Sequence, residues 1–326
     1  MRKLELRPNG FRPKLENWIP SIQTIQLSDN LLCFYDGRTR AGEPIFAETD
    51  ENWPQVDMDL GTCCYVLFNG DEAVVFDTMI MPEQARYVRN RMEALGVKKF
   101  TVIISHMDLD HNGGNAIFAD CEIIAQKGTH DVLAKHKDLI ESGGWWGNDN
   151  EFWGPPAIKP FVLPNTLIEK DTKRTLAGFE LELVHTKAHQ FGGNLCVYIP
   201  EYKAMIVGDI AEDSCIYVGE ADDILISIDE TKRLLDFDID YVLPMHGDPD
   251  KISKGAYDKR FIEAAIVYQE RLYSRMHEPG YFDSELDDYL GEFIREGVLT
   301  PFEPYYGIHK VNTRYVYKHW VTKRKK

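Results

Sequence analysis

The chain contains no uninterrupted apolar run near the roughly 18 residues that a bilayer-spanning helix needs. Its start, Met1-Arg2-Lys3-Leu4-Glu5-Leu6-Arg7-Pro8, is basic but lacks the apolar core of a secretory signal. Both absences lead to the expectation of a soluble, cytoplasmic protein with no membrane partner. Cysteine is scarce: Cys33, Cys63, Cys64, Cys121, Cys196 and Cys215 are the full set, with no C-x-x-C pair. These six read as reduced, mostly buried small hydrophobes rather than a disulfide framework. Positive charge is short as well. The 37 Lys and Arg are outnumbered by 53 Asp and Glu, a formal net charge of −16. That balance argues against a nucleic-acid partner, which needs a basic footprint, and against an anionic membrane surface. No internal repeat or low-complexity segment is visible.

The chain does have an apolar content of 44% and an aromatic content of 12% over 326 residues. That is enough for one large core, or one core with a smaller appendage. Strand-like runs fall at 22–27, 31–35, 63–68 and 73–76, the last two flanking the hairpin signal Asn69-Gly70-Asp71. A Gly-, Pro- and Asp-rich loop is expected over 36–60. A helix at 82–95, with an early Pro82 and closing Gly96, precedes a buried strand at 100–104. A helix opening at 115–118, a strand at 122–125 and a helix at 130–140 follow, an alternation that indicates a layered α/β protein. Residues 143–156 carry Trp145, Trp146 and Trp153 among four glycines and read as a loop, either a pinned surface insertion or a pocket wall. Strands return at 179–184, 195–199, 204–207 and 241–243. Helices at 257–275, 284–296 and 311–320 make up an expected C-terminal extension.

The most informative stretch is Ser105-His106-Met107-Asp108-Leu109-Asp110-His111-Asn112-Gly113-Gly114. It packs two imidazoles and two carboxylates into six residues, directly after a buried strand. Positions spaced by two are scattered over opposite faces of a helix, so a strand-end loop curled around cations is the better reading. Carboxylates crowded away from bulk water without a cation carry a high electrostatic cost. His189, Asp209 and His246 also stand where apolar strands end, each with a glycine nearby, so four strand ends point chemistry at one sheet rim.

These motifs resemble the metallo-β-lactamase superfamily. Its hallmark is H-x-H-x-D-H after a buried strand, followed by an H-T-P-G-H-like segment, an Asp in a G-D context and a final His near Gly. The resemblance covers roughly residues 20–250 and implies an αββα sandwich with two metals at the edge between the sheets. It implies a metallo-β-lactamase-like domain at 1–250 and a helical C-terminal extension at 251–326. By position, one metal takes His106, Asp108 and His189; the other takes Asp110, His111 and His246, with Asp209 bridging. Asp77 matches a supporting aspartate, and His185 reads as structural. Two departures stand out: Lys187-Ala188 replaces Pro-Gly, and Asp108 replaces the usual His.

With two divalent cations, two Asp and one hydroxide, the usual site sums to about +1; Asp108 lowers it to about zero. A third hard oxygen ligand shifts preference from zinc toward manganese or iron. The resemblance thus implies a dinuclear hydrolase in which a metal-bridging hydroxide attacks a small ester, lactone, amide or phosphoester, with Asp110 and Asp209 in catalytic roles. Asp108 also resembles the carboxylate of flavodiiron-type proteins, which keeps a di-iron oxygen-binding or redox protein as the alternative. A small-molecule substrate is the expected partner, and the aromatic C-terminal helices leave room for a homodimer. Tyr305, Tyr306 and His309 form a polar aromatic group whose role the sequence leaves open.

Overall fold

The computed structural model describes residues 22–38, 60–147, 150–153, 157–189, 191–218 and 224–323. The expected loop at 36–60 lies outside the described residues except at its ends. Two compact units divide the chain: Met1–Glu169 with Thr175–Phe179, and Lys170–Arg174 with Glu180–Lys326.

The first unit is built on a seven-stranded sheet. Its strands are β1 (Gln23–Ser28), β2 (Leu31–Asp36), β3 (Thr62–Asn69), β4 (Glu72–Phe76), β5 (Lys99–Ile103), β6 (Glu122–Gln126) and, after a small hairpin, β9 (Thr166–Ile168), in the order β1-β2-β3-β4-β5-β6-β9. The β3–β4 hairpin closes at Asn69↔Glu72, with Gly70 at φ +59°, a turn conformation glycine adopts without steric cost. From β4 onward the pairings are parallel, so β4 and β5 end side by side at Phe76↔Ile103. Helix α1 (Pro82–Ala94) makes the crossover between them. Its buried stripe of Ala85, Val88 and Met92 packs with Phe34, Val75 and Val102. Each of the larger side chains there contributes roughly 1.5–3 kcal/mol by leaving water.

After β5 the chain makes one α-helical turn, α2 (Leu109–Asn112). At Asn115–Phe118 it forms a 3-10 turn rather than the helix expected. The turn stops because the Asn115 side chain is anchored on Thr78 Oγ1 and the Val162 carbonyl, and Cys121 N–H closes back on Phe118. Helix α3 (Lys127–Glu141) starts three residues before the expected 130, and the aromatic stretch folds as the hairpin β7 (Gly144–Gly147) and β8 (Asn150–Trp153).

The second unit carries a five-stranded sheet in the order β10-β11-β12-β13-β14. These strands are β10 (Thr172–Leu176), β11 (Phe179–His185), β12 (Leu195–Ile199), β13 (Ala204–Gly208) and β14 (Tyr241–Pro244). β13 and β14 are parallel and joined by a crossover through α4 (Ile224–Arg233), a helix without a strong sequence signal. Past residue 250 come α6 (Lys259–Arg275), α7 (Asp287–Arg295) and α8 (Glu303–Lys323), preceded by the short α5 (Pro249–Ser253). The apolar face of α6, including Phe261, Ala265, Tyr268 and Leu272, is buried, as its helical spacing predicts. Before α7 the Ser284 hydroxyl donates to the Tyr281 carbonyl, and Asp288 accepts the Glu285 N–H. Helix α8 begins eight residues before the expected 311. Among the described residues, no helix is long and apolar enough to cross a membrane. All six cysteines are free. Burial pushes the Cys196 thiol up to about 12 and Cys33, Cys64 and Cys215 well above the ordinary range, which makes them poor nucleophiles.

Candidate metal centre

In the first unit the cluster grows from the ends of two parallel strands. Asp77 follows β4, adopts φ +60° and donates its backbone N–H to the Ile103 carbonyl at the end of β5 (2.9 Å). Its carboxylate is fully buried. It accepts the Ser105 N–H and the Ser105 hydroxyl at 2.7 Å each, and the His111 Nδ1 proton at 2.8 Å. Because the Ser105 hydroxyl gives its only proton to Asp77, it accepts from His106 Nδ1 (2.9 Å). One buried carboxylate therefore fixes both imidazoles in the tautomer protonated on Nδ1. Their Nε2 lone pairs face carboxylates: His106 toward Asp108 (3.5 Å) and His111 toward Asp110 (3.2 Å). This is the arrangement metal-binding histidines use, one nitrogen held by an acceptor so that the other is presented.

Residues that sequence reasoning passed over hold this loop. Asn112 donates to the carbonyls of His106 (3.2 Å) and Asp108 (2.7 Å). Thr78 N–H donates to the His111 carbonyl (2.8 Å). A Cβ on Gly113 would stand 2.0 Å from the Ile80 carbonyl oxygen, and one on Gly114 2.3 Å from that of Thr78. Only glycine permits that approach. The Asn-Gly-Gly-Asn run after His111 was the available signal. The loop is not wholly extended, since Asp110 and His111 lie on the single turn of α2, whereas His106 and Asp108 precede it.

The second unit assembles its cluster from three separate strand ends. His189 follows β11 in a left-handed conformation (φ +71°), with its backbone N–H donated to Ser227 Oγ (3.3 Å). Asp209 follows β13 and His246 follows β14, two strands paired in parallel with Gly208 opposite Pro244. Asn194 pins the turn. Its Oδ1 accepts the Asp209 N–H (3.2 Å) and its Nδ2 donates to the Val207 carbonyl (3.0 Å). Gly208 leaves room for it, since a Cβ there would stand 2.2 Å from Asn194 Oδ1. The result is convergence on one oxygen: Asp209 Oδ2 lies 3.3 Å from His246 Nε2 and 3.9 Å from His189 Nε2.

Glu212, which has no motif around it in the sequence, joins this group. The ligand atoms of His189, Asp209 and Glu212 all lie within 4.8 Å of one another, and all three residues are buried. Burial, and the carboxylate of Asp209 beside it, push the Glu212 acid up to about 8. A bound cation would reverse that preference. His185 takes no part in the group. Its backbone N–H donates to Asp171 and its carbonyl accepts from Arg233, in keeping with a structural residue.

Both clusters fit divalent metals by the chemistry of their donors: buried carboxylates and imidazoles gathered together are stable when a cation completes them.

The comparisons with known proteins agree with this geometry. The sequence pattern of the Metallo-beta-lactamase superfamily matches residues 58–246. Solved structures of the same fold include TMB-1 (TM-score 0.56, 16% identity, covering 77% of this chain and 98% of that one). A metallo-beta-lactamase from Pontibacter korlensis aligns with a TM-score of 0.52 and 15% identity over 74% of this chain and 99% of that one. DIM-1 metallo-beta-lactamase gives 0.52 and 16% over 75% and 98%. No curated protein sequence matches this chain. The fold is the metallo-β-lactamase fold with helices added at the C-terminus, and the chain belongs to the metallo-β-lactamase superfamily.

Proposed function

We propose that the chain is a dinuclear-metal-dependent hydrolase acting on a small ester, lactone, amide or phosphoester. The observation that carries this reading is the tautomer control by Asp77, which directs Nε2 of both His106 and His111 to carboxylates. That degree of preparation serves ligation, since a histidine that only packs needs no specified lone pair.

On the superfamily's plan, His106, Asp108 and His189 would hold one cation and Asp110, His111 and His246 the other, with Asp209 as a further ligand. When bound, two such cations, zinc or the harder manganese or iron, would supply a water nucleophile of near-neutral pKa and polarise the scissile carbonyl or phosphoryl group. Asp209 keeps the imidazoles of His189 and His246 oriented through the one oxygen they both face. Asp110, 5% exposed at its side chain and beside His111, would take up a proton and deliver it to the leaving group. Burial of His106, His111, His189 and Asp209 keeps bulk water from competing for these groups.

Asp108 favours a second reading, a di-iron oxygen-binding or redox protein of the flavodiiron-like type. It puts a carboxylate, rather than an imidazole, beside His106 Nε2. Assaying protein loaded with Zn²⁺, Mn²⁺ or Fe²⁺ against esters, lactones, amides and phosphoesters separates the two. Metal-dependent turnover of one class, lost in Asp209→Asn, is the expected result. Loaded protein that is inert across the panel, yet holds iron and consumes O₂, would overturn the hydrolase reading.

A further inference from the structure

Glu212 lies at the head of a loop, 212–218, that follows β13 and is gripped by the C-terminal helices. Asp213 accepts the Thr300 N–H (2.6 Å) and the Tyr257 hydroxyl (2.5 Å). Ser214 Oγ bonds the Thr300 carbonyl and accepts the Phe302 N–H (3.0 Å). Further along, Asn312 of α8 donates to the Ile216 carbonyl and accepts the Val218 N–H, both at 2.9 Å. These ties are all made without the Glu212 side chain. Glu212 nevertheless sits there 4% exposed. Its Oε1 accepts the Tyr217 N–H (2.8 Å) and its Oε2 the hydroxyl of Tyr305, on α8 (2.9 Å). A carboxylate offers about four lone-pair sites, and these two bonds are from neutral donors, which do not offset a buried negative charge.

We infer that Glu212 is a further metal ligand of this protein, and that Tyr305 is the positioning residue that aims it at the cation shared with His189 and Asp209. Two ligand atoms on one ion, each at about 2.0–2.5 Å, are up to about 4–5 Å apart, which is the separation found among these three side chains. The inference rests on the metal binding proposed above but not on the reaction catalysed. It also accounts for the C-terminal helix, because α8 presents a hydroxyl to the far side of a ligand, the outer-shell support that metal sites use to fix their carboxylates. A fourth carboxylate thereby joins Asp108, Asp110 and Asp209. Two divalent cations, four carboxylates and a hydroxide sum to about −1, a donor set suited to hard Mn²⁺ or Fe²⁺ over Zn²⁺.

The test is titration of the metal-free full chain with Mn²⁺ and, separately, Zn²⁺, together with the visible spectrum of the Co²⁺-loaded protein. Glu212→Gln is expected to weaken Mn²⁺ binding by more than about 10-fold, to lose less for Zn²⁺, and to change the Co²⁺ spectrum as a ligand is lost. Tyr305→Phe is expected to weaken Mn²⁺ binding by about 10-fold with a smaller spectral change, the scale on which outer-shell partners act. Tyr306→Phe, beside Tyr305 on α8, removes a hydroxyl that bonds exposed Asp287 at the start of α7 and is expected to match the parent. If Glu212→Gln does not fold, Tyr305→Phe and Glu212→Asp carry the test. Folded variants with the parent's Mn²⁺ affinity and Co²⁺ spectrum overturn the inference while leaving the hydrolase reading intact. A parent chain that binds no metal overturns both.

Discussion

The two candidate metal clusters are assembled by different routes. The first is written almost contiguously, from His106 to His111, and is held by local bonds: Asp77 on the neighbouring strand, Asn112 within the loop, and glycines pressed onto the 78–80 backbone. The second draws His189, Asp209 and His246 from positions scattered over the sequence. It is held by an amide, Asn194, and by a loop tied to helices some 90 residues further along the chain. A contiguous cluster puts its precision into side-chain hydrogen bonds near the ligands. A dispersed one takes it from sheet topology and distant packing.

The sharpest way to break the comparison is at Asp77. Asp77→Ala leaves a buried imidazole, hydroxyl and N–H without their common acceptor, and each buried donor left unsatisfied costs about 1–3 kcal/mol. Unfolding is expected at markedly lower denaturant, with metal binding lost in parallel. Asp209→Asn, by contrast, is expected to abolish tight metal binding while the denaturation midpoint of the metal-free chain stays near the parent's. Parallel loss in both variants would erase the distinction between the two clusters.

The C-terminal packing of the second unit has its own signature in pH. His309 is buried between Tyr268, whose hydroxyl meets Nδ1 at 3.0 Å, and the Ser284 carbonyl, 3.2 Å from Nε2. Burial holds it near 4 instead of the usual 6.5. The unfolded chain therefore binds the proton more readily. This contribution is complete above about pH 6.5 and lost as pH falls toward 4, up to about 3 kcal/mol. Denaturation of the metal-free chain followed from pH 7 to pH 4 should show that slope, and His309→Phe should flatten it.

Smaller effects mark the loop itself. Gly114→Ala drives a Cβ against the Thr78 carbonyl and is expected to cost about 1–3 kcal/mol, the range for overpacking, read as a lowered Tm. Asn194→Ala is the mildest. It frees the Asp209 N–H and is expected to weaken metal binding by about 10-fold with little loss of fold. Equal affinity in that variant would show that β13 alone places Asp209.

The same contrast explains what was legible in the sequence. Strands of the buried sheets declared themselves through apolar runs, and α1 through Pro82 and Gly96. The first cluster could be read because its residues adjoin. The pairing of β13 with β14, which brings Asp209 toward His246, was not legible in the sequence, since register between distant strands leaves no local mark. Glu212 was passed over because an acid three residues after a ligand looks like any surface acid until burial is known. Asn194 and Tyr305 act at a distance through backbone and hydroxyl contacts, for which sequence spacing gives no cue. Helix α4 was missed, and the start of α8 placed late, because neither carries a strong capping signal.

The central proposal is that each of the two clusters holds metal. It is tested most directly by elemental analysis of full-length protein purified without added metal and then reconstituted with Mn²⁺, Fe²⁺ or Zn²⁺. The account predicts two ions per chain, falling to one or fewer in Asp209→Asn. A parent that saturates at one ion, or a variant that keeps two, would contradict it.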